Sequence, residues 1–501
     1  MVYLIFAAFW GSWIVRSLIT FDEEGLFFPS DAEEWYNQWF RLGRWAIVYL
    51  KKILGVYSVN PYFSNAMLFI FFPMSALLWC FDIETWAGEK TLPVKLSFVL
   101  IFTLHPVWAL MFSYRMHMDV LVVGMVLLPL AMMFLTEWLE DNSTGSLIAA
   151  LILTVICFGS FQTFMILFAD AVAVYIFIRL SEETCRKKLV KDIMWIGGFT
   201  AVSMFIWYLI ARVCCKITGN PYGDSYSDGQ FMWGDRPFKE SVKTILKYMR
   251  YSMFGDGKIY SRLYGIAAVI FIVILLSGII LRKRNSILSL IAGGAVILIP
   301  YALEIITAGN IVVRSQWAFV FSLSFIIMYE LLFIEDLISR SSVRINREIP
   351  VIALVVIIVL SQSQIMTRLL YTDNHTMEVD LRTFQSIYDR ALLEGASYGD
   401  AICFVGDESR HRDLISNSLV EYEVVGFSYM EYCHTAYMDG VDNTKVPQAM
   451  RAYGFNVAEP TSEQLEWASQ FAEDMPYWPS DGSVKVLPDE GVIIVKIGEQ
   501  K

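Results

Sequence analysis

The stretch ITFDEEGLFFPSDAEEWYNQWFRLGRW, residues 19–45, joins a cluster of carboxylates to an apolar segment. Residues 2–20, directly before the cluster, are apolar enough to cross a bilayer as one helix. Within thirteen residues the chain then carries six acidic side chains: Asp22, Glu23, Glu24, Asp31, Glu33 and Glu34. The sequence therefore predicts a dense negative charge at a membrane surface. Because no basic segment and no small-residue cleavage site precede the cluster, we interpret residues 2–20 as a retained helix and not as a removed signal.

The composition indicates a polytopic membrane protein. The 501 residues are 56% hydrophobic and only 18% charged, which is too apolar for a soluble globule of this size. The net charge of −11 is uneven, because residues 371–501 hold 23 acidic and 9 basic residues. Two regions in different solvents are thus predicted to meet near residue 370, and the acidic tail argues against nucleic-acid binding.

The apolar segments predict about eleven transmembrane spans. Nine are clear candidates: residues 2–20, 62–81, 95–113, 118–137, 195–216, 264–281, 286–307, 316–333 and 350–369. The segment 146–180 is long for one crossing and short for two. We favour two crossings with a turn near Gly159 and Ser160, where the sequence reads GSFQT.

Basic residues predict the orientation of these spans. Short loops at 181–194, 282–284 and 334–349 hold most of the loop arginines and lysines, so we expect them in the cytoplasm. The external loops are then 21–61 and 217–263, with the C-terminal region also outside. Residues 32–57 are predicted to form two amphipathic helices at the interface, and 239–251 a basic amphipathic helix.

The pattern after residue 370 is that of a small soluble α/β domain. Residues Leu381, Phe384, Ile387, Tyr388 and Leu392 recur at helical spacing, and a buried strand, AICFVG, follows at 401–406. Further helices are expected at about 443–453 and 462–473, with a closing strand at 491–497. We therefore divide the chain into a transmembrane catalytic domain, 1–370, and an extracytoplasmic domain, 371–501. Cys403 and Cys433 in the latter are left open as either a disulfide or free thiols.

The first external loop is the candidate catalytic site. Asp22 and Glu23 would lie at the edge of the hydrocarbon, where partial desolvation raises a carboxyl pKa towards the range of a general base. The alternative is an acidic loop that only solvates a helix end. Nucleotide sugars are scarce outside the cytoplasm, so a transferase there would need a lipid-linked sugar phosphate as co-substrate. Such a transfer needs a base for the acceptor hydroxyl and cations for the leaving phosphate.

Several polar residues near the same face are candidates for substrate binding. Arg314, in the short external turn GNIVVRSQW, suits bidentate phosphate binding or anchors a helix end. Arg41 and Arg44, beside the acidic cluster, could bind phosphate in the same way. Alternatively, they pair with Glu33 and Glu34. Others are Arg115 and Asp119 in the turn 105–121 and Gln162 at the helix break, the last with a backbone hydrogen bond as its alternative. His105 and His117 are assigned no role, and no metal is expected although carboxylates suit Mg²⁺ or Mn²⁺.

These motifs, taken in order, resemble those of the bacterial type II O-antigen glucosyltransferases, a serotype-conversion family. The resemblance rests on the acidic pair followed by LGRW (42–45), FSYR (112–115) with Asp119 nearby, FQ (161–162), the external arginine, and MPYWPSDGSV (475–484). It implies a GT-C type membrane fold and inverting transfer of glucose from a polyprenyl-phosphate carrier to a cell-envelope glycan. It also implies that Asp22 or Glu23 is the base, with Asp31 as a rival, and that Arg314 contacts the donor phosphate.

The expected protein is thus a glycosyltransferase in the bacterial inner membrane, with a polyprenyl-phosphate sugar, a glycan acceptor and the lipid bilayer as its partners. One rival is a transporter or flippase of a lipid-linked saccharide, which would be expected to show paired broken helices in two related halves. The other is an anchored binding protein whose spans only present the acidic domain.

Overall fold

The structure is a computed structural model, and most of the chain in it is α-helical. It describes residues 1–16, 19–20, 22–181, 186–223, 231–255, 259–280, 286–309, 312–340, 346–406, 425–426, 428–430 and 445–498. Six of these are described by their backbone alone: Pro29, Ser30, Asp31, Glu34, Arg186 and Ser286.

The first ten helices cover the N-terminal part of the chain. They are α1 Val2–Ile14, α2 Pro29–Gln38, α3 Trp45–Leu54, α4 Pro61–Ala87, α5 Leu92–Thr103, α6 Val107–Ser113, α7 Arg115–Asp141, α8 Thr144–Ser160, α9 Thr163–Ser181 and α10 Arg186–Thr218. The remaining helices are α11 Phe238–Phe254, α12 Leu263–Ile280, α13 Ser286–Leu298, α14 Ala302–Thr307, α15 Trp317–Arg340, α16 Glu348–Leu393, α17 Lys445–Ala452 and α18 Ser462–Phe471. The described strands are β1 Ala401–Val405, β2 Val484–Leu487 and β3 Val492–Lys496, and short 3₁₀ helices lie at Glu24–Phe27, Ile299–Tyr301, Val313–Ser315 and Ala472–Asp474.

The apolar helices are those of a membrane protein. Eight described helices are long and apolar enough to cross a bilayer, and the bent pair α5 and α6 makes up to nine. Two shorter apolar helices, α1 and α8, accompany them. The pair α5 and α6 bends by 47° at a break that contains Pro106, whose ring removes a backbone donor. The segment 146–180 forms two helices, as predicted, with the break at Phe161 and Gln162.

The loop after α1, which the sequence predicts to be external, folds back onto the bundle. The two predicted interfacial helices are present as α2 and α3, and a 3₁₀ turn, Glu24–Phe27, precedes them. Gly55 ends α3 in the left-handed conformation (φ 67°), which glycine adopts without strain. Because Tyr36, Ile47 and Val48 are fully buried against the bundle, this loop is part of the core and not a mobile surface segment.

The C-terminal unit contains the predicted elements and one further strand. Its sheet has the order β1-β3-β2, with β1 parallel to β3 and β2 antiparallel to it. The predicted helix with Phe384 and Ile387 forms the end of α16, and both side chains are fully buried. The helix is continuous through residue 370, and the C-terminal hydrophobic cluster begins with Met377. Strand β2 was not predicted, because its alternation of apolar and polar residues covers only four positions. Cys433 lies outside the described residues, and the thiol of Cys403 is buried and free.

Candidate functional site

Glu23 lies at the N-terminal end of α7. Its Oε1 accepts a hydrogen bond from the backbone N–H of Met116 at 2.7 Å, and its Oε2 accepts one from the N–H of Thr20 at 3.0 Å. The first N–H groups of a helix have no partner within the helix and carry partial positive charge. Glu23 therefore fastens the first loop to the start of α7.

Burial changes the acid–base behaviour of Glu23. The carboxyl group is 0% exposed, and this desolvation raises its pKa from 4.5 to about 7. The positive charge of Arg115 and the hydrogen bonds from the backbone act in the opposite direction but do not cancel the desolvation. Glu23 thus has the acidity expected of a general base, in a position without access to solvent.

Asp22 and Glu24, on either side of Glu23, share a cation from the C-terminal unit. The Lys445 ammonium lies 3.0 Å from Asp22 Oδ1 and 2.6 Å from Glu24 Oε1. Glu24 is buried and also accepts a hydrogen bond from the Tyr429 hydroxyl at 3.1 Å. The side chain of Asp22 remains 31% exposed, and its backbone has a positive φ of 73°. Asp22 is therefore the carboxylate of this trio that is exposed to solvent.

Arg115 is buried beside Glu23. Its guanidinium lies 4.3 Å above the Trp13 ring, and its Nε donates to Asn65 Oδ1 at 3.4 Å. Asp373 in α16 and Tyr453 in the C-terminal unit are near enough to act on it electrostatically. The predicted arginine is thus held between the first loop, the bundle and the C-terminal unit.

Arg44 and Gln162, two residues predicted separately to bind substrate, are in contact. Arg44 Nε donates to Gln162 Oε1 at 3.3 Å, and its guanidinium lies 4.3 Å over the Phe161 ring. The Gln162 amide also donates to a backbone group, the carbonyl oxygen of Leu42, which lies in the LGRW segment and not at the helix break. Glu33 pairs with Lys52 at 3.7 Å. The helix break between α8 and α9 therefore supports the LGRW segment.

Arg314 reaches the residue that precedes α7. Its Nη1 donates to the Tyr114 hydroxyl at 3.2 Å, and the guanidinium lies 4.6 Å over the Tyr114 ring. Arg314 lies in a 3₁₀ turn, Val313–Ser315, shortly before α15 begins at Trp317. Arg314 and the FSYR motif, which are 200 residues apart in sequence, thus meet at one point.

Asp119 has a protein partner. Lys51 Nζ lies 3.0 Å from both carboxylate oxygens of Asp119, and both side chains are buried. A lysine in α3 is thereby tied to the second turn of α7. The remaining predicted acid, Asp31, lies in α2, and its side chain is outside the described part of the structure.

His117 lies among these groups, although the sequence analysis gave it no role. It is buried, and its ring packs against those of Tyr114, Trp39 and Phe161. A lone histidine in an apolar turn carries no signal by itself. The one signal in the sequence is its position, two residues from both Arg115 and Asp119. This spacing places all three in the first turns of α7.

Among the described residues, no three histidine, cysteine, aspartate or glutamate side chains are grouped so as to hold a metal ion. The predicted catalytic and substrate-binding residues, where their side chains are described, lie around the start of α7. They include the carboxylates of Asp22, Glu23 and Asp119, which can accept a proton, and the guanidinium groups of Arg44, Arg115 and Arg314, which can bind an anion.

Comparison with known protein families supplies an independent identification. The family described as glucosyl transferase GtrII matches residues 11–334, which include the first loop, the start of α7, the break at Gln162 and Arg314. No curated protein and no solved structure gave a match. Since the match covers well over half of the chain, the protein belongs to the glucosyl transferase GtrII family, as the order of its motifs predicted.

Proposed function

We propose that the protein transfers glucose from a polyprenyl-phosphate carrier to a cell-envelope glycan at the outer face of a bacterial inner membrane. The observation that carries this proposal is that the first loop, which carries the partly exposed Asp22, is fastened through Glu23 to the start of α7, where Arg115 lies beside Glu23 and Arg314 lies over Tyr114. The family membership supports glucosyl transfer. The external side of the membrane is inferred from the short basic loops. The lipid carrier and the glycan acceptor are then inferred from the substrates that an external active site can reach.

Asp22 is the proposed base. A base must first be within reach of the acceptor hydroxyl, and its pKa matters only after that. Glu23 has a suitable pKa, but it is fully buried and both of its oxygens accept backbone hydrogen bonds. Asp22 is partly exposed, with Lys445 on one of its oxygens. Glu23 then holds the loop on which Asp22 lies, while the Asp119–Lys51 ion pair holds α3 against α7.

The reaction forms one bond and breaks one bond at the anomeric carbon. An acceptor hydroxyl attacks C1 of glucose, and its proton passes to the Asp22 carboxylate. The bond between C1 and the phosphate oxygen breaks with its electron pair going to the phosphate, which leaves as a polyprenyl monophosphate. Attack on the face opposite to the phosphate inverts C1. Arg314 and Arg44 stabilise the charge that develops on the phosphate.

The external location follows from charge and chemistry. The short basic loops indicate the cytoplasmic face, which leaves residues 21–61 outside. A sugar attached to a lipid is the activated donor that is accessible there. The rival function, transport of a lipid-linked saccharide, would move the same substrate without breaking the bond at C1.

The test is sugar transfer by membranes that contain the full chain, with polyprenyl-phosphate-[¹⁴C]glucose as donor. We expect Asp22→Asn to lower transfer by at least about 10²-fold, in the range of a general base. Glu33→Gln is the matched control, because Glu33 is an exposed acid of the same loop. Among the described residues its ion pair is with Lys52, outside the proposed site. Full transfer by Asp22→Asn would refute the base assignment, and translocation of the labelled lipid without transfer would support the transporter.

A further inference from the structure

We propose that the side chain of His117 is a donor-phosphate ligand: one of its ring N–H groups hydrogen-bonds to the phosphate of the polyprenyl carrier, between Arg44 and Arg314. The inference rests on the proposed function, because the anion is the phosphate of its donor substrate. It adds a residue that neither the motifs nor the family match single out.

The first observation is the polar capacity that His117 leaves unused. The side chain is only 4% exposed, and neither Nδ1 nor Nε2 has a hydrogen-bond partner within the described part of the chain. Burying an imidazole without any partner costs free energy, so such a group in a native protein calls for an explanation. His105, in the same turn, differs because its Nδ1 accepts from the Val107 N–H at 3.2 Å.

The second observation is the set of rings around His117. The ring centroid of Tyr114 lies 5.7 Å away in a stacked arrangement, and those of Trp39 and Phe161 lie 5.9 and 6.0 Å away. Arg314 lies over Tyr114, and Arg44 lies over Phe161. The two guanidinium groups therefore lie over two of the three rings that surround the imidazole.

The third observation is the charge at this place. Arg44, Arg314 and Lys51 are the cations near enough to act on His117 electrostatically. The Lys51 charge is matched by Asp119, which binds it through both oxygens. Both arginines act on a buried imidazole that has a proton to donate, and a ring N–H close to guanidinium groups favours an anion with several acceptor oxygens.

A lipid phosphate has the chemistry that fits this position. In the donor the phosphate is a diester with one negative charge, and after cleavage at C1 it is a monoester that carries more charge on its oxygens. A hydrogen bond from His117 becomes stronger as that charge develops, so it stabilises the transition state more than the bound donor. No proton leaves the imidazole in this step.

The proposal is tested by equilibrium binding to the full chain in lipid nanodiscs. The two probes are a polyprenyl monophosphate and the corresponding polyprenol, which differ only in the phosphate. His117→Phe keeps a ring and removes the donor, His117→Gln keeps a donor, and His105→Phe makes the same change at the neighbouring buried histidine. Thermal denaturation of each variant establishes that it is folded.

We expect His117→Phe to weaken binding of the monophosphate by about tenfold, the effect of one lost charge-assisted hydrogen bond. Polyprenol binding should be unchanged, His117→Gln should retain most of the affinity, and His105→Phe should bind as the unsubstituted protein does. Monophosphate binding that His117→Phe leaves intact, or an equal loss for both probes, overturns the proposal.

A second measurement uses the unsubstituted protein, which has five histidines. In ¹⁵N-histidine spectra, the ring resonances that are missing from His117→Gln should shift when the monophosphate is added. If no such resonance shifts, His117 is not a phosphate ligand. A protein that binds the monophosphate through His117 but transfers no glucose would refute the proposed function alone, whereas transfer that does not depend on His117 would refute this inference alone.

Discussion

At the scale of single residues, two adjacent carboxylates have different surroundings. Asp22 is partly exposed and pairs with Lys445, whereas Glu23 is buried against the backbone of α7. The difference arises from the turn at Asp22, where a positive φ of 73° separates the paths of two neighbouring side chains. Neighbouring acids of the same chemistry are thereby given different tasks.

Glu23 should make the stability of the protein depend on pH. Its pKa of about 7 in the folded chain lies above the ordinary 4.5, so the folded state binds more protons between these values. The stabilisation is complete below about pH 4.5 and is lost as the pH rises through about 7. A shift of this size corresponds to on the order of 3 kcal/mol. We therefore expect the melting temperature to fall between about pH 5 and about pH 8.

The control for this prediction is Glu23→Gln, which keeps the hydrogen-bond acceptor and cannot ionise. Its melting temperature should fall less over the same pH range, as measured by thermal denaturation in detergent. Other titrating groups contribute equally to both proteins, so the difference between the two curves isolates Glu23. Parallel curves would contradict the assignment of a raised pKa to this residue.

At the scale of elements, the start of α7 gathers the site because three interruptions of helices meet there. The break between α6 and α7 carries Tyr114 and is followed by Arg115, the break between α8 and α9 carries Gln162, and the turn before α15 carries Arg314. Helices that cross a membrane satisfy their own backbone groups, so polar side chains concentrate where the helices are interrupted. The site is thus built from ends of helices.

The contact between α3 and α8 should be sensitive to one methyl group. A Cβ added at Gly159 would lie closer than 3.0 Å to three atoms of the Trp45 ring, which follows Arg44 directly. Gly159→Ala must therefore displace Trp45 and with it Arg44. We expect a loss of stability of about 1–3 kcal/mol, as for an overpacked core, and a higher KM for the lipid donor.

Gly197→Ala is the matched control, because an added Cβ at this helical glycine has no atom within 4 Å. It should leave both the melting temperature and the KM near those of the unsubstituted protein. If the two alanine variants behave alike, the packing of Trp45 on Gly159 does not support Arg44.

At the scale of the whole molecule, the C-terminal unit is joined to the loop that follows α1. Lys445 bridges Asp22 and Glu24, the Tyr429 hydroxyl donates to Glu24, and the N–H of Ile19 donates to the Tyr453 hydroxyl at 2.8 Å. These three residues lie beyond the family match, which ends at 334. The C-terminal unit therefore contributes directly to the surroundings of the proposed base.

Removal of the Lys445 charge should loosen this joint. In Lys445→Met, Asp22 and the buried Glu24 lose their shared cation and repel each other, and leaving a buried charge unpaired is strongly unfavourable. We expect faster hydrogen exchange in residues 22–28 and a drop in glucose transfer of about tenfold or more. Lys485→Met, an exposed lysine in β2, is the control and should change neither. Unchanged exchange in Lys445→Met would contradict a role for the ion pairs in holding the loop.

Much of the fold follows from the sequence because local patterns specify it. Runs of apolar residues predict the long helices, GSFQT predicts a turn near Gly159 and Ser160 that the structure has at 161–162, and the pattern after residue 370 predicts the end of α16, α17 and α18 with β1 and β3. These features depend on neighbours a few residues apart, so one chain suffices to infer them. The residue types of the site, and the order of motifs that indicates the family, are also local properties.

The partners within the site were decided by tertiary structure alone. The sequence determined that acids follow the first apolar segment, but not that Lys445 would face Asp22 and Glu24, or that Lys51 would take both oxygens of Asp119. Such pairs join residues from 68 to 423 positions apart, and no periodicity connects them. Helix packing also turned His117 from an isolated histidine into a neighbour of Arg44 and Arg314. The physical reason is that burial and charge compensation depend on which elements meet in space, whereas periodicity records only where a chain is apolar.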